Sequence, residues 1–226
     1  MLRNTPTIEM GQAVTSSNSW KGAGYAMTIK IVRIQDCADV RPGFSAKSAI
    51  VNDPEGTLQV IAAQHITKGE PYRYIEEHSL LISPPKFYEK YLVIAGDILF
   101  MSRGINNYAV LVESVPNPAI APLTFFIIRP KENVLSGYLA WCLNQEMMKA
   151  KLNEIRAGAG TPMIPSSSFR EISIPLPPLA TQKRIAELGR LQMLEKQLLQ
   201  QLTDATDQLH KAIGKILLSN SIHHKE

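Results

Sequence analysis

The C-terminal part of the chain carries apolar residues at the spacing of one long helix. Pro177 and Pro178 delay this helix until Leu179, because proline fixes φ and disfavours helical geometry in the residue before it. No further proline occurs up to Leu218. Two rows at heptad spacing follow, one formed by Leu188, Glu195, Leu202, Leu209 and Ile216, and the other by Leu191, Leu198, Ala205 and Ala212.

These two rows, the apolar stripe, predict a helix that needs a partner. A helix over residues 179–218 would be about 60 Å long, whereas helices of globular domains average about three turns. Such a stripe is buried by packing against another long helix. Glu195 is the one charged residue in the two rows. A helix folded back on its own domain is the alternative that the pattern leaves open.

The residues before this helix have the mixed pattern of an α+β domain. Short apolar or alternating runs bounded by turns predict strands. The predicted strands cover residues 28–34, 58–63, 107–113, 124–129 and 172–174, and residues 91–101 predict two short strands around a turn at Gly96 and Asp97. Asp97 is expected to hydrogen-bond that turn.

One helix is predicted inside the domain, with Asn133 or Ser136 as its cap and Gly158 as its stop. The predicted organisation is therefore a mixed α/β domain over residues 27–178 and a long helix over residues 179–218. A short tail follows at residues 219–226. Residues 1–26 are polar and small, which predicts a disordered leader, and Met27 is a possible alternative start.

The charge balance permits a nucleic-acid partner without requiring one. The net charge is +4, but residues 27–178 hold fifteen Lys and Arg against fourteen Asp and Glu. Because no dense basic block exists, DNA would be held by a local patch or with help from a partner protein. The most apolar stretch, residues 108–128, contains Glu113 and three prolines, so no membrane span is predicted and we expect a cytoplasmic protein.

The usual parts of a catalytic or metal site are missing from the sequence. Cys37 and Cys142 are far apart and lack ligand spacing, so we expect two buried free thiols rather than a disulfide or zinc site. Neither a P-loop nor a dinucleotide fingerprint occurs. Ser83-Pro84-Pro85 resembles the start of an amino-methyltransferase loop, but Lys86 occupies the position of its aromatic residue. These absences favour a recognition or scaffolding role with no catalytic residue.

Two segments together carry a resemblance to a known family. The first is GDIL at residues 96–99 followed by Arg103 and Gly104. The second is PLPPL at residues 175–179 followed by Gln182 and Ile185, after a glycine-containing loop. The chain resembles the specificity subunit of Type I restriction-modification systems, in which these elements lie in a target recognition domain and at the start of a long helix. Thr181 departs from the acidic residue that is usual there.

The resemblance implies a non-catalytic subunit that chooses a double-stranded DNA sequence. Such subunits usually contain two recognition domains and two long helices, so this sequence looks like half of one. It would then form a homodimer through an antiparallel coiled coil and read a bipartite, palindromic target. Partner modification subunits would methylate adenine with S-adenosylmethionine, and a restriction subunit would use ATP and Mg. No cofactor is expected on this chain itself.

The candidate DNA-binding residues have side chains that suit base edges or phosphates and lie in predicted loops or at strand edges. They are Arg103, Asn106, Asn107 and Tyr108; Lys68, Tyr72, Arg73 and Tyr74; Arg41 and Lys47; and Thr161, Ser166, Ser167 and Ser168. The alternative for each group is an ordinary polar turn or a solvated strand edge.

Two other functional classes remain open at this stage. The chain would be a coiled-coil adaptor if its domain bound a protein and had lost DNA reading. A stand-alone DNA methyltransferase would require the cofactor motif that is missing. For the DNA-binding hypothesis, the nearly neutral domain predicts weak and salt-sensitive binding by the isolated chain.

Overall fold

The computed structural model describes residues 29–116, 118–158 and 160–223, with side chains described up to Leu218. The predicted leader at residues 1–26, the possible start at Met27 and the end of the tail lie outside the described residues. The strands are β1 Lys30–Arg33, β2 Ala38–Pro42, β3 Leu58–Val60, β4 Tyr72–Arg73, β5 Leu81–Ile82, β6 Ile98–Met101, β7 Ala109–Ser114, β8 Ala119–Ile120, β9 Phe125–Pro130 and β10 Ser173–Leu176. The helices are α1 Ile34–Cys37, α2 Ser136–Leu143, α3 Glu146–Ile155, α4 Ser166–Glu171 and α5 Leu179–His223.

A five-stranded sheet forms the centre of the domain, in the order β2-β9-β6-β7-β4. Its pairs are antiparallel except for β4 with β7. Because side chains alternate along a strand, β6 sends Ile98 and Phe100 to one face and Leu99 to the other. Helices α2, α3 and α4 cover the first face, and the opposite face packs against residues of the 61–74 segment. The α+β class predicted from the sequence is confirmed.

Two smaller sheets complete the domain. Strands β5, β3 and β8 form a three-stranded sheet with its own apolar cluster, to which Leu58, Val60 and Ile120 contribute fully buried side chains. Strand β1 pairs with β10, with Lys30 opposite Leu176. The first and last strands of the domain therefore lie side by side.

Two of the predicted elements form differently in the structure. Only the second of the two strands expected in residues 91–101 forms, because Asp97 accepts the Ile94 N–H at 3.0 Å and closes a turn there. The helix expected from residue 133 or 136 up to Gly158 is divided into α2 and α3. The break follows from Asn144, whose side-chain amide bonds both backbone groups of Ala109 on β7.

Asp97 has a larger role than the turn bond expected from sequence. Its side chain is 1% exposed and receives Nε and Nη2 of Arg129 at 2.7 and 2.8 Å. A buried carboxylate is tolerated when it is paired and hydrogen-bonded in this way. The predicted free thiols are confirmed, since Cys37 and Cys142 are both buried, and burial raises the pKa of Cys37 to about 11.

Gln182 joins α5 to the domain. Its side chain is 1% exposed, accepts the Leu135 N–H at 2.9 Å, and donates to the carbonyls of Asn133 and Pro177. Neither Asn133 nor Ser136 caps α2, and Gln182 binds the N–H of Leu135, the residue immediately before this helix. Two turns further along, Gly189 lies against the Trp141 ring, where an added Cβ would come within 2.5 Å of Cδ1.

Beyond Arg190, α5 extends away from the domain. Residues 191–218 correspond to about 42 Å of helix, and most of their side chains are exposed. The leucine and isoleucine side chains of this part are exposed by between 42% at Leu194 and 70% at Leu218. The apolar stripe is thus not folded back onto the domain. Across the described ranges, no helix combines the length and the apolar character needed to cross a membrane.

We expect Gln182→Leu to lower the free energy of unfolding by about 1–3 kcal/mol, because buried backbone groups at Leu135 and Asn133 lose their partner. The measurement is urea unfolding followed by Trp141 fluorescence. Gln192→Leu, on the exposed part of the same helix, is the matched control and should change stability by no more than about 0.5 kcal/mol. Equal effects of the two substitutions would refute the assigned role of Gln182.

Candidate nucleic-acid interface

Two loops distant in sequence form one surface at an end of the five-stranded sheet. Residues 102–108 follow β6, and residues 156–158 and 160–164 connect α3 to α4. The Gly104 N–H donates to the Pro162 carbonyl at 2.7 Å, and the Ile164 N–H donates to the Ser102 carbonyl at 2.8 Å. We call these segments the paired-loop surface. It brings together Arg103 and Gly104 of the first sequence motif and the glycine-containing loop that precedes the second.

Arg156 fixes the shape of the first loop from the second. Its Nη2 donates to the Ile105 carbonyl at 3.1 Å and to Asn107 Oδ1 at 2.8 Å. The Asn107 amide in turn donates to the Met101 carbonyl at 2.9 Å. Gly104 adopts a φ of 84°, a conformation that favours glycine. Asn107 therefore supports the loop internally, whereas the sequence placed it among the DNA-reading candidates.

Three candidates on this surface point their polar groups to solvent. Arg103, Asn106 and Thr161 are exposed, and Arg103 forms no hydrogen bond or ion pair with any residue that the structure describes. Ile105 and Met163 lie beside them with exposed fractions of 68% and 42%. A free guanidinium and a free amide next to apolar side chains match the hydrogen-bonding edges and methyl groups of bases in a DNA groove.

The remaining candidates near this end of the sheet differ in their exposure to solvent. Tyr108 is half-buried against the sheet, and burial raises its pKa. Ser166, Ser167 and Ser168 begin α4 just after Ile164, and Ser167 is exposed while Ser166 Oγ is buried. Exposed Lys47 follows Phe44, which is hydrogen-bonded to the backbone of Ala121 and Leu123. Those residues lead into Thr124, whose carbonyl accepts the Ser102 N–H, so Lys47 belongs to the same end.

The cluster of Lys68, Tyr72, Arg73 and Tyr74 lies elsewhere. Arg73 pairs with Ser114 at the far end of β7, five residues from Ala109, which corresponds to about 17 Å along the strand. Arg73 Nε binds Glu113 at 2.5 Å. Tyr72 is only 3% exposed, its ring stacks on His78, and burial raises its pKa to about 12. Of these four residues, Lys68 is exposed and makes no hydrogen bond within the described parts of the chain.

Arg41 also lies apart from the paired-loop surface. It is on the edge strand β2 opposite Ile127, and its Nη1 donates to the Lys90 carbonyl at 3.2 Å.

Arg156 was not among the sequence candidates. Its position at the end of a helix and before a glycine loop is the only signal that pointed to it, and that signal does not reveal which loop it contacts. No group of three His, Cys, Asp or Glu side chains is placed to hold a metal in the described ranges.

We expect Arg156→Gln to loosen residues 103–107, because the Ile105 carbonyl and the Asn107 amide lose a charged donor. Amide hydrogen exchange of this loop should accelerate by about tenfold, as for a local opening that has become about 1.4 kcal/mol easier. Lys149→Gln, on α3 and paired only with exposed Glu146, is the control. Unchanged exchange in the Arg156 variant would contradict the role given to this residue.

The comparisons with known proteins agree on one family. The family model of the Type I restriction modification DNA specificity domain matches residues 27–205. The MjaIX Type I restriction enzyme specificity subunit of Methanocaldococcus jannaschii is 28% identical over 158 residues, which cover 69% of this chain and 36% of that protein. The EcoKI specificity subunit of Escherichia coli K12 is 39% identical over 61 residues, covering 27% and 13% of the two chains.

Solved structures share the fold. The HsdS subunit of Thermoanaerobacter tengcongensis matches with a TM-score of 0.57 at 18% identity, over 78% of this chain and 40% of that one. A chain from a study of assembly and conformational transition of the type I R-M system matches with a TM-score of 0.57 at 18% identity, over 83% and 44%. The chain thus spans less than half the length of these relatives.

Proposed function

Because the chain belongs to the Type I restriction modification DNA specificity family, we propose that it selects the DNA sequence on which a Type I restriction-modification complex acts. Both curated relatives are named as specificity subunits, and specificity subunits of Type I systems are non-catalytic. The observation that carries the proposal is the paired-loop surface. There Arg103 and Gly104 of the first family motif meet the glycine-containing loop that precedes the second, and the side chain of Arg103 makes no hydrogen bond with the described residues.

Arg103 and Asn106 are the proposed base-reading residues. Their loop is held by Arg156, Asn107 and the backbone bonds to the second loop, so their side chains start from a fixed position. A rigid loop reduces the ordering cost of binding. Thr161, Ser167 and Lys47 are proposed to contact phosphates around the base-reading residues, because hydroxyl and ammonium groups suit that role.

The isolated chain is proposed to bind DNA weakly. Residues 27–178 carry almost equal numbers of positive and negative side chains, so few phosphate contacts are available to them. Partner modification subunits would supply further phosphate contacts and would methylate adenine with S-adenosylmethionine. A restriction subunit using ATP and Mg would complete the complex. This chain would dock those subunits.

The partner of α5 is proposed to be α5 of a second copy in antiparallel orientation. A parallel pair in register would place Glu195, which lies in the apolar stripe, beside Glu195 of the second copy. An antiparallel pair instead places Glu195 opposite Ala212 of the second copy. Like charges across such an interface destabilise it, so the position of Glu195 favours the antiparallel pair.

The target of such a dimer would have two halves. A two-fold symmetric protein reads a two-fold symmetric sequence, and a long helix pair holds its two domains apart. One turn of DNA is about 34 to 36 Å, so domains held at the two ends of the pair would contact half-sites separated by unread base pairs. We therefore propose a bipartite, palindromic target.

Arg103→Ala should abolish or relax target selection by the complex with modification subunits. The loss of a bidentate base contact costs about 1–3 kcal/mol, or about 5- to 150-fold in affinity for the target. The target is first identified by single-molecule sequencing of methylated adenines, and binding is then measured by fluorescence anisotropy. Arg73→Ala, at the opposite end of the sheet, is the control and should leave selectivity unchanged. A uniform loss on all DNA sequences would assign Arg103 to a phosphate instead.

The purified chain should sediment as a dimer at micromolar concentration. A strictly monomeric particle would refute the homodimer. In the register that sets Glu195 opposite Ala212, Leu198 lies opposite Leu209 of the second copy. Under oxidation, Leu198→Cys mixed with Leu209→Cys should form a disulfide between the two variants, while each variant alone should not. Disulfides formed by each variant alone would indicate parallel helices and contradict the proposed arrangement. Selective DNA binding would then remain to be judged by the Arg103 experiment alone.

A further inference from the structure

A cavity of about 460 Å³ lies along the edge strand β2, and its lining includes neither Arg103 nor Asn106. Three arginines line it: Arg41 on β2, Arg129 on β9 and Arg170 on α4. They come from three different elements, so their meeting at one cavity results from the tertiary fold. Asp39 is the one carboxylate in the lining.

The guanidinium of Arg41 is unusual within this chain. In Arg33, Arg129 and Arg190, Nε and Nη2 together hold a carboxylate, at distances between 2.7 and 3.3 Å. In Arg41 the same two nitrogens are buried and have no hydrogen-bond partner, and only Nη1 is bonded, to the Lys90 carbonyl. Buried donors without an acceptor are energetically unfavourable. Binding of an acceptor to Nε and Nη2 of Arg41 is therefore favoured.

The two neighbouring arginines, Arg129 and Arg170, use only some of their N–H groups in hydrogen bonds. Arg129 uses Nε and Nη2 for Asp97, and its Nη1 has no hydrogen-bond partner in the described residues. Arg170 uses one nitrogen, Nη2, for the Val40 carbonyl at 2.5 Å. Asp97 offsets the charge of Arg129, and Asp39 offsets one further charge. The cavity therefore keeps a net positive charge together with free N–H donors.

We propose that this cavity binds a phosphate group, with Arg41 turning its Nε and Nη2 fork into the cavity to hold two oxygens. Arginine is suited to this because its planar fork matches phosphate in a bidentate geometry. Free N–H groups of Arg170 and Arg129 would hold the remaining oxygens. Asp39 repels the anion and limits its affinity. The phosphate belongs to the DNA backbone or to a free anion. The proposed phosphate site does not depend on whether the chain selects DNA sequences.

The test titrates inorganic phosphate into the full chain at low ionic strength, with calorimetry and the arginine Nε–H signals in NMR as readouts. Saturable binding that shifts the Arg41 signal is expected. Arg41→Gln should weaken binding by about tenfold, since it removes a charge-assisted bidentate contact. Asp39→Asn should strengthen binding by about threefold, since it removes a repulsion between partly solvated charges. Lys86→Gln, an exposed cation outside the cavity, is the matched control.

Absence of saturable phosphate binding by the wild type would overturn the proposal, and so would equal binding by the Arg41 and Lys86 variants. If Arg41→Gln does not fold, as judged by circular dichroism, the Asp39 variant decides, and unchanged affinity there overturns the site. Duplex DNA distinguishes the two sources. For a backbone phosphate, Arg41→Gln weakens all sequences alike and lowers the salt slope by about one. For a free anion, phosphate binding falls while DNA binding is unchanged.

Discussion

The position of α5 relative to the domain depends on the buried side chain of Gln182. Its three hydrogen bonds connect the first turn of α5 to the start of α2 and to the strand exit at Pro177. Gly189 then allows close contact with Trp141 on α2. Since α2 is held to the central sheet through Asn144 and Ala109, the direction in which α5 leaves the domain follows from the sheet that also carries the paired-loop surface. The paired-loop surface and α5 are therefore both attached to the same central sheet.

Features that depend on local chemistry were predicted correctly from the sequence. The proline pair and the heptad rows predicted where the long helix begins and which residues it leaves exposed, because helix starts and amphipathic spacing are local properties. The burial of both cysteines and the turn bond of Asp97 were also predicted correctly. The first family motif and the glycine-containing loop before the second contact each other in the structure, although nothing in their spacing showed that Gly104 and Pro162 would be hydrogen-bonded.

Features that depend on contacts between distant residues were not available from the sequence. The break between α2 and α3 results from an amide that bonds a strand 35 residues away. Asn107 looked like a base-reading amide, but Arg156, 49 residues later, holds its oxygen inside the loop. Tyr72 and Tyr74 alternate with the cations Lys68 and Arg73 in the sequence. The pairing of β4 with β7, however, buries Tyr72 and places Tyr72 and Arg73 at the other end of the sheet. Polar character alone does not distinguish a group that supports a loop from one that faces a ligand.

The pairing of β1 with β10 has a consequence for how such a domain evolves. Lys30 lies opposite Leu176, so the chain enters and leaves the domain within about 5 Å, the distance across a strand pair. The residues between β1 and β10 could be replaced by those of another domain that begins and ends with the same strand pair. Such a replacement would leave the path of the chain into α5 unchanged. The fold is thus suited to recombination as a cassette, in which new loops are acquired while the helical frame is inherited intact.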